Sequence, residues 1–187
     1  ALNRRFKAGE LISPFRNTFV EREIWNQLNG CERTCYAART LSQLHSHWVF
    51  AGLTAADFHG LSHSWRLHNG NVYIADSKRS GFISRQRIER IYESSIRATV
   101  IDRVNVTDIE STVIACGLRF PFNHALSIID AALRNGMSIK TLRERCEALS
   151  IADRERLNHL IRYASGKSEN GGIMGKGDTH YYGLRPS

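Results

Sequence analysis

The sequence predicts an α+β protein in which a short basic helix and a hairpin lead into a mixed domain of a small antiparallel sheet and a helical bundle. Three observations predict it. Val104 to Leu149 holds three successive helix patterns, each with its own start signal; residues 71–106 shift to short β-branched and aromatic runs; and the chain opens on a cationic helix end followed by two apolar triplets around a turn.

Arg4, Arg5 and Lys7 lie in a helix-like segment stopped by Gly9, a residue suited to a left-handed helix cap. Glu10 to Ile12 and Thr18 to Val20 read as short strands, and Ser13-Pro14-Phe15-Arg16-Asn17 between them carries the turn residues that close a hairpin. A basic helix followed by a basic-tipped hairpin is the second half of a winged helix-turn-helix. In that geometry the helix brings Arg and Lys to base edges and phosphates in the major groove, and the tip brings Arg16 to the backbone or minor groove. The competing reading is a solvated helix end, where cations also suit the helix dipole. Because the chain begins on Ala inside a helix-like segment, the natural N-terminus is expected to lie further upstream.

Two helix patterns come next, separated by the turn signal Asn29-Gly30. Ile24, Trp25 and Leu28 make an apolar face on the first; Tyr36, Ala37, Leu41 and Leu44 make one on the second. Trp48 to Phe50 is strand-like, and Thr54 is placed to cap a short helix ending at Gly60. Cys31-x-x-x-Cys35 has no second pair to complete a zinc site, and His45, His47, His59, His63 and His68 lack the H-E-x-x-H arrangement. No metal and no cofactor is expected.

Val72 to Ile74, Ile88 to Tyr92 and Ala98 to Val104 read as strands of a small antiparallel sheet. Lys78, Arg79, Arg85, Arg87, Arg90 and Arg97 make this stretch either a second nucleic-acid contact or a sheet edge protected by charge. Beyond it, Thr107-Asp108-Ile109-Glu110 has capping-box spacing. A helix over Asn123 to Asn135 sets Ala125, Leu126, Ile129, Ala132 and Leu133 against a polar stripe of Asn123, Ser127, Asp130 and Arg134. Gly136 suits a left-handed cap, and Ser138 caps a helix with Ile139, Leu142, Cys146 and Leu149 on its apolar side. Ser150 and Asp153 open a last helix reaching about Tyr163, with Leu157, Leu160, Ile161 and Ala164 inside. Residues 166–187 lack periodicity and are expected to be a disordered tail, so the domains read as 1–28, 31–165 and 166–187.

With 42% hydrophobic and 24% charged residues, the composition is that of an ordinary globular protein. The net charge of +8 favours a polyanionic partner over a small neutral substrate. Four scattered cysteines make no disulfide framework, and no apolar run approaches the roughly 18 residues of a membrane span. A cytoplasmic setting is expected.

In motif order the chain resembles the abortive-infection type IV antitoxin family (AbiEi-like), regulators of bacterial toxin-antitoxin operons. The resemblance lies in RRFKAGELISPFRNTFV at 4–20, AGLTAADFHGL at 51–61, VNVTDIESTVIACG at 104–117 and FNHALSIIDAALRNGMSIKTL at 122–142. It covers nearly all of the chain to about Gly172. It implies an N-terminal winged helix that binds operator DNA and represses its own operon, with Arg4, Arg5, Lys7, Arg16 and Asn17 in the DNA-binding part. It also implies a larger domain needed to neutralise a nucleotidyltransferase-like toxin, and no enzymatic activity. Two departures stand out. The first helices of the winged domain are absent, and SENGG at 168–172 resembles the junction at which longer actinobacterial relatives begin a restriction-endonuclease-like domain. Residues 173–187 do not supply the set of carboxylates and Lys with which such a nuclease holds a metal and activates water. A nuclease remnant and a pure protein-interaction module are therefore the competing readings.

Overall fold

The computed structural model describes residues 2–15, 18–62, 71–77 and 87–170. Among them the chain forms eight helices and three two-stranded sheets, a mixed α+β arrangement that is mostly helical. Helix α1 (Leu2–Lys7) is followed by Gly9 at φ +76°, the left-handed conformation an L side chain resists. Strands β1 (Leu11–Ile12) and β2 (Val20–Glu21) pair antiparallel, so helix and hairpin stand in the expected order. Buried Phe15 at the hairpin tip packs with Ala37, Ala38 and Leu41. Thr18 fixes that turn, its hydroxyl donating to the Phe15 carbonyl and accepting from the Phe15 amide.

Helix α2 (Arg22–Gln27) leaves Ile24 exposed, and α3 (Gly30–Leu44) leaves Leu44 exposed, so both predicted apolar faces are narrower than the pattern implied. Asn29 is more than a turn residue. Its side chain accepts from the Glu32 amide while Glu32 accepts from the Asn29 amide, a reciprocal capping box. Helix α4 (Gly52–Phe58) begins earlier than predicted. Thr54 lies inside it, where its hydroxyl accepts from the Tyr73 amide and ties the helix to the neighbouring strand.

Strands β3 (Val72–Asp76) and β4 (Ile88–Tyr92) pair in parallel, which corrects the antiparallel sheet expected from the sequence. The physical reason is burial on both sides. Tyr73 and Ile91 join the helical core, while Val72, Ile74 and Ile88 join a second core against α3. Such two-sided burial is the usual setting of parallel strands, and apolar runs alone do not reveal strand direction. Strands β5 (Ala98–Ile101) and β6 (Val104–Thr107) form a hairpin where one strand was expected. Asp102 and Arg103 between them both have positive φ, +49° and +65°, which matches the twist of a two-residue hairpin turn. The backbone of buried Phe50 bridges Ile74 on β3 and Val106 on β6, joining the two pairs.

Helix α5 (Ile109–Arg119) is capped by Asp108, whose carboxylate accepts from the Ser111 amide at 2.9 Å. The predicted Thr107–Glu110 box is not the cap. Thr107 is the buried end of β6, its hydroxyl 2.7 Å from that of Thr112. Helix α6 (Phe122–Arg134) ends before Gly136 at φ +88°, and α7 (Ile139–Cys146) is capped by Ser138, both as predicted. Helix α8 (Ile151–Asn170) starts at the Ser150 cap and continues past Tyr163 into the stretch expected to be disordered. Residues 171–187 of the expected tail lie outside the described residues. No described helix is long and apolar enough to cross a membrane.

Two substitutions test this packing. Phe15→Ala should lower stability by about 3 kcal/mol, because it empties a filled site between the hairpin and α3. Arg103→Gly should raise stability by about 0.5 kcal/mol, since relief of the left-handed backbone exceeds glycine's added chain entropy. Urea denaturation of each variant reads both effects.

Candidate functional site

The basic unit at the N-terminus is built by a set of polar links around an exposed helix. Every residue of α1 is solvent-exposed, including Arg4, Arg5 and Lys7. Arg5 donates from Nε to Glu10 and from Nη2 to Glu21, each at 2.9 Å, so it spans from α1 to both sides of the hairpin. Exposed pairs of this kind add little stability one by one, but together they set the angle of α1 on the hairpin. Arg22 donates to the Gly9 carbonyl at 2.6 Å, and Phe6 meets Phe19 edge-on with ring centres 5.8 Å apart. Arg4 and Lys7 take part in no ion pair among the described residues, which leaves them as the cations of α1 free to meet an anion. Arg16 and Asn17, the predicted contacts of the hairpin tip, lie outside the described residues. The sequence signalled the cations but not the division of labour. That depends on Glu10 and Glu21 converging on one guanidinium.

The second cationic stretch is less unified. Arg90 pairs with Asp76 across β3 and β4 at 2.9 Å, and Arg97 is exposed beside β5. Arg87 has a positive φ of 58° at the entry to β4, where its carbonyl accepts from the Val72 amide. Lys78, Arg79 and Arg85 lie outside the described residues.

The candidate metal-binding side chains are occupied otherwise. Burial, reinforced by Asp57, pushes the Cys31 thiol up to about 11 and the Cys35 thiol up to about 12, so neither offers a ready thiolate. His59 hydrogen-bonds the Thr107 carbonyl at 2.8 Å, and His45 stacks on Trp48 with ring centres 4.0 Å apart. His63 and His68 lie outside the described residues. Among the described residues no group of three or more His, Cys, Asp or Glu side chains is placed to hold a metal.

A groove that sequence reasoning did not anticipate runs between the end of β4, α5 and α7. It encloses about 1060 Å³ over the apolar side chains of Ile114, Ala115 and Leu118. On one wall Arg145 of α7 donates twice to Asp108, at 2.8 and 2.9 Å, and approaches Glu110 at 3.5 Å. Backbone and side-chain donors from Ser111 and Arg145 lower the Asp108 carboxyl against the opposing effect of its partial burial. Glu93, just beyond β4, behaves in the opposite way. Burial first and Asp108 second push it up to about 7, and its Oε1 is buried with no hydrogen-bond partner among the described residues. A lone Glu after a strand looks like any solvated carboxylate in the sequence, so nothing local marked it.

No model of a known protein family matches the chain, and no curated protein matches it.

Glu93 makes stability depend on pH with a definite sign. A folded-state value of about 7 against an ordinary 4.5 means that the folded protein keeps a proton the unfolded chain releases. The neutral carboxyl's contribution is therefore full below about pH 4.5 and is lost as the pH rises to about 7. Glu93→Gln should match the unsubstituted protein at about pH 4.5 and exceed it by about 2 kcal/mol at about pH 8, as read by denaturation at both values.

Proposed function

We propose that this protein is a DNA-binding transcriptional regulator that acts as the antitoxin of a type IV, abortive-infection toxin-antitoxin system and represses its own operon. The observation that carries the reading is the fully exposed helix α1, which presents Arg4 and Lys7 outward while Arg5 braces it on the following hairpin. That order of basic helix, glycine stop and short antiparallel hairpin fits the second half of a winged helix-turn-helix, in which the helix enters the major groove and the hairpin tip meets the backbone. The net charge of +8 supports a nucleic-acid partner. The motif resemblance supplies the remainder: operator DNA as the target, Arg16 and Asn17 as further contacts, and a nucleotidyltransferase-like toxin as the functional partner of the larger α+β domain. A cytoplasmic location goes with this role. The reading assigns no catalytic residue, metal or cofactor.

Arg4 and Lys7 have phosphates to neutralise in this reading, whereas Arg5 has structure to hold. Replacing Arg4 and Lys7 together by Ala should weaken binding of the full chain to DNA from its own upstream region. The double variant should also reduce the slope of log affinity against log salt by about two. Arg5→Ala should weaken binding through loss of helix orientation. Titrations across salt concentration check both, and a salt slope unchanged in the double variant would remove α1 from the interface.

A further inference from the structure

The groove between β4, α5 and α7 has an uncovered apolar floor, and one of its rims carries an uncovered apolar knob. Ile114, Leu118 and Leu149 on the floor are only partly buried. At about 1060 Å³ the groove lies above the range of roughly 300–1,000 Å³ usual for small-molecule clefts, so its size suits a turn of protein chain. The connection from α7 to α8 forms the rim, since Ala148, Leu149 and Asp153 all line the groove. Between them Ile151 is 68% exposed, the most of any large apolar side chain among the described residues, and Ala148 and Ala152 beside it are exposed as well. A single exposed isoleucine is ordinary, but an apolar knob that adjoins an apolar groove is the pattern of a protein–protein contact.

Charge identifies which protein fits. Most of the charged lining of the groove is neutralised within the chain. Arg145 is held by Asp108 and Glu110, Arg90 by Asp76, and Glu144 by Lys140 at 3.9 Å. Asp153 accepts from the Ser150 hydroxyl, and burial holds Glu93 protonated until about pH 7. Arg97 and Arg119 are exposed and make no ion pair among the described residues, so the open charges of the groove are positive. The knob has the opposite sign. Glu147 precedes it at the end of α7, and Glu155 follows Ile151 by four residues on the same face of α8. Both are exposed and without an ion pair among the described residues. In a chain of net charge +8 an acidic knob is the exception, and it complements the basic groove of another copy.

We propose that the chain forms a twofold dimer in which Ile151 of each copy, with Ala148 and Ala152, seats on Ile114 and Leu118 of the other. Glu147 and Glu155 of one copy then face Arg97 and Arg119 of the other. Because knob and groove share a rim, a twofold axis at that rim satisfies both contacts at once and closes the assembly at two copies. The dimer does not depend on the DNA-binding reading, and its test uses no DNA.

The test is sedimentation equilibrium of the full chain over a range of concentrations, with charge reversals on either side of the contact. The unsubstituted chain should show a monomer–dimer equilibrium that weakens as salt is raised. Glu147→Lys with Glu155→Lys sets lysines against arginines, and Arg97→Glu with Arg119→Glu sets glutamates against glutamates. Each double variant alone should therefore dimerise at least about tenfold more weakly. Mixed in equal amounts, the two should form a heterodimer about as tight as the original, because every knob then meets a groove of opposite charge. A general loss of structure in either variant would not be repaired by mixing. Ile151→Asp should be monomeric at concentrations where the unsubstituted chain is dimeric. A chain that stays monomeric up to about 100 µM overturns the proposal. So does a dimer that either charge reversal leaves intact, a pair of variants that fails to associate on mixing, or growth beyond two copies.

Discussion

The structure depends first on the burial of the β3–β4 pair from both sides. Alternate residues of these strands enter different cores: Tyr73 and Ile91 face α5 and its helical neighbours, while Val72, Ile74 and Ile88 face α3. Backbone groups in such a position have no water to turn to, so the ladder must be complete. Phe50 extends it, accepting from the Thr107 amide and donating to the Asn105 carbonyl, each at 2.8 Å. Thr54 adds a side-chain acceptor for the Tyr73 amide. The two cores are therefore fastened through one hydrogen-bonded layer, and the elements that carry candidate chemistry hang from it on opposite sides.

On the α3 side, Phe15 seats the hairpin, and the hairpin positions α1 through Arg5 and Arg22. That chain of contacts turns a six-residue helix with no buried side chain into an oriented one. On the other side, Asp108 has a double role. It caps α5 and receives Arg145, so one carboxylate orients the helix and fastens α7 beside it. The same negative charge contributes to keeping Glu93 protonated to an unusually high pH. A structural ion pair thus shapes the electrostatics of the groove.

What was legible in the sequence was mostly what local chemistry decides. Gly9 and Gly136 stop helices because their backbone conformations disfavour other residues, and Ser138 and Ser150 start helices because their hydroxyls meet amides three residues on. Thr107 and Thr54 had equally good local credentials and were drawn elsewhere by burial, one to Thr112 and the other to the amide of Tyr73. The cations of α1 were visible as residue types. Arg5 became a brace because two glutamates from the hairpin reach it, and Glu93 became unusual because β4 ends among helices distant in sequence.

By itself the sequence determined the helix stops and starts, the order of basic helix and hairpin, the apolar faces of α6, α7 and α8, and the positive charge. All of these stem from backbone preference, short-range hydrogen bonding or periodicity. The tertiary structure alone decided that β3 and β4 run parallel, that Asp102 and Arg103 turn the chain into a hairpin, and that one oxygen of Glu93 is buried without a hydrogen-bond partner among the described residues. Strand direction is set by which surfaces cover the sheet, and the ionisation of a buried acid by the charges and dielectric around it. Both are properties of neighbours that the chain brings together only on folding.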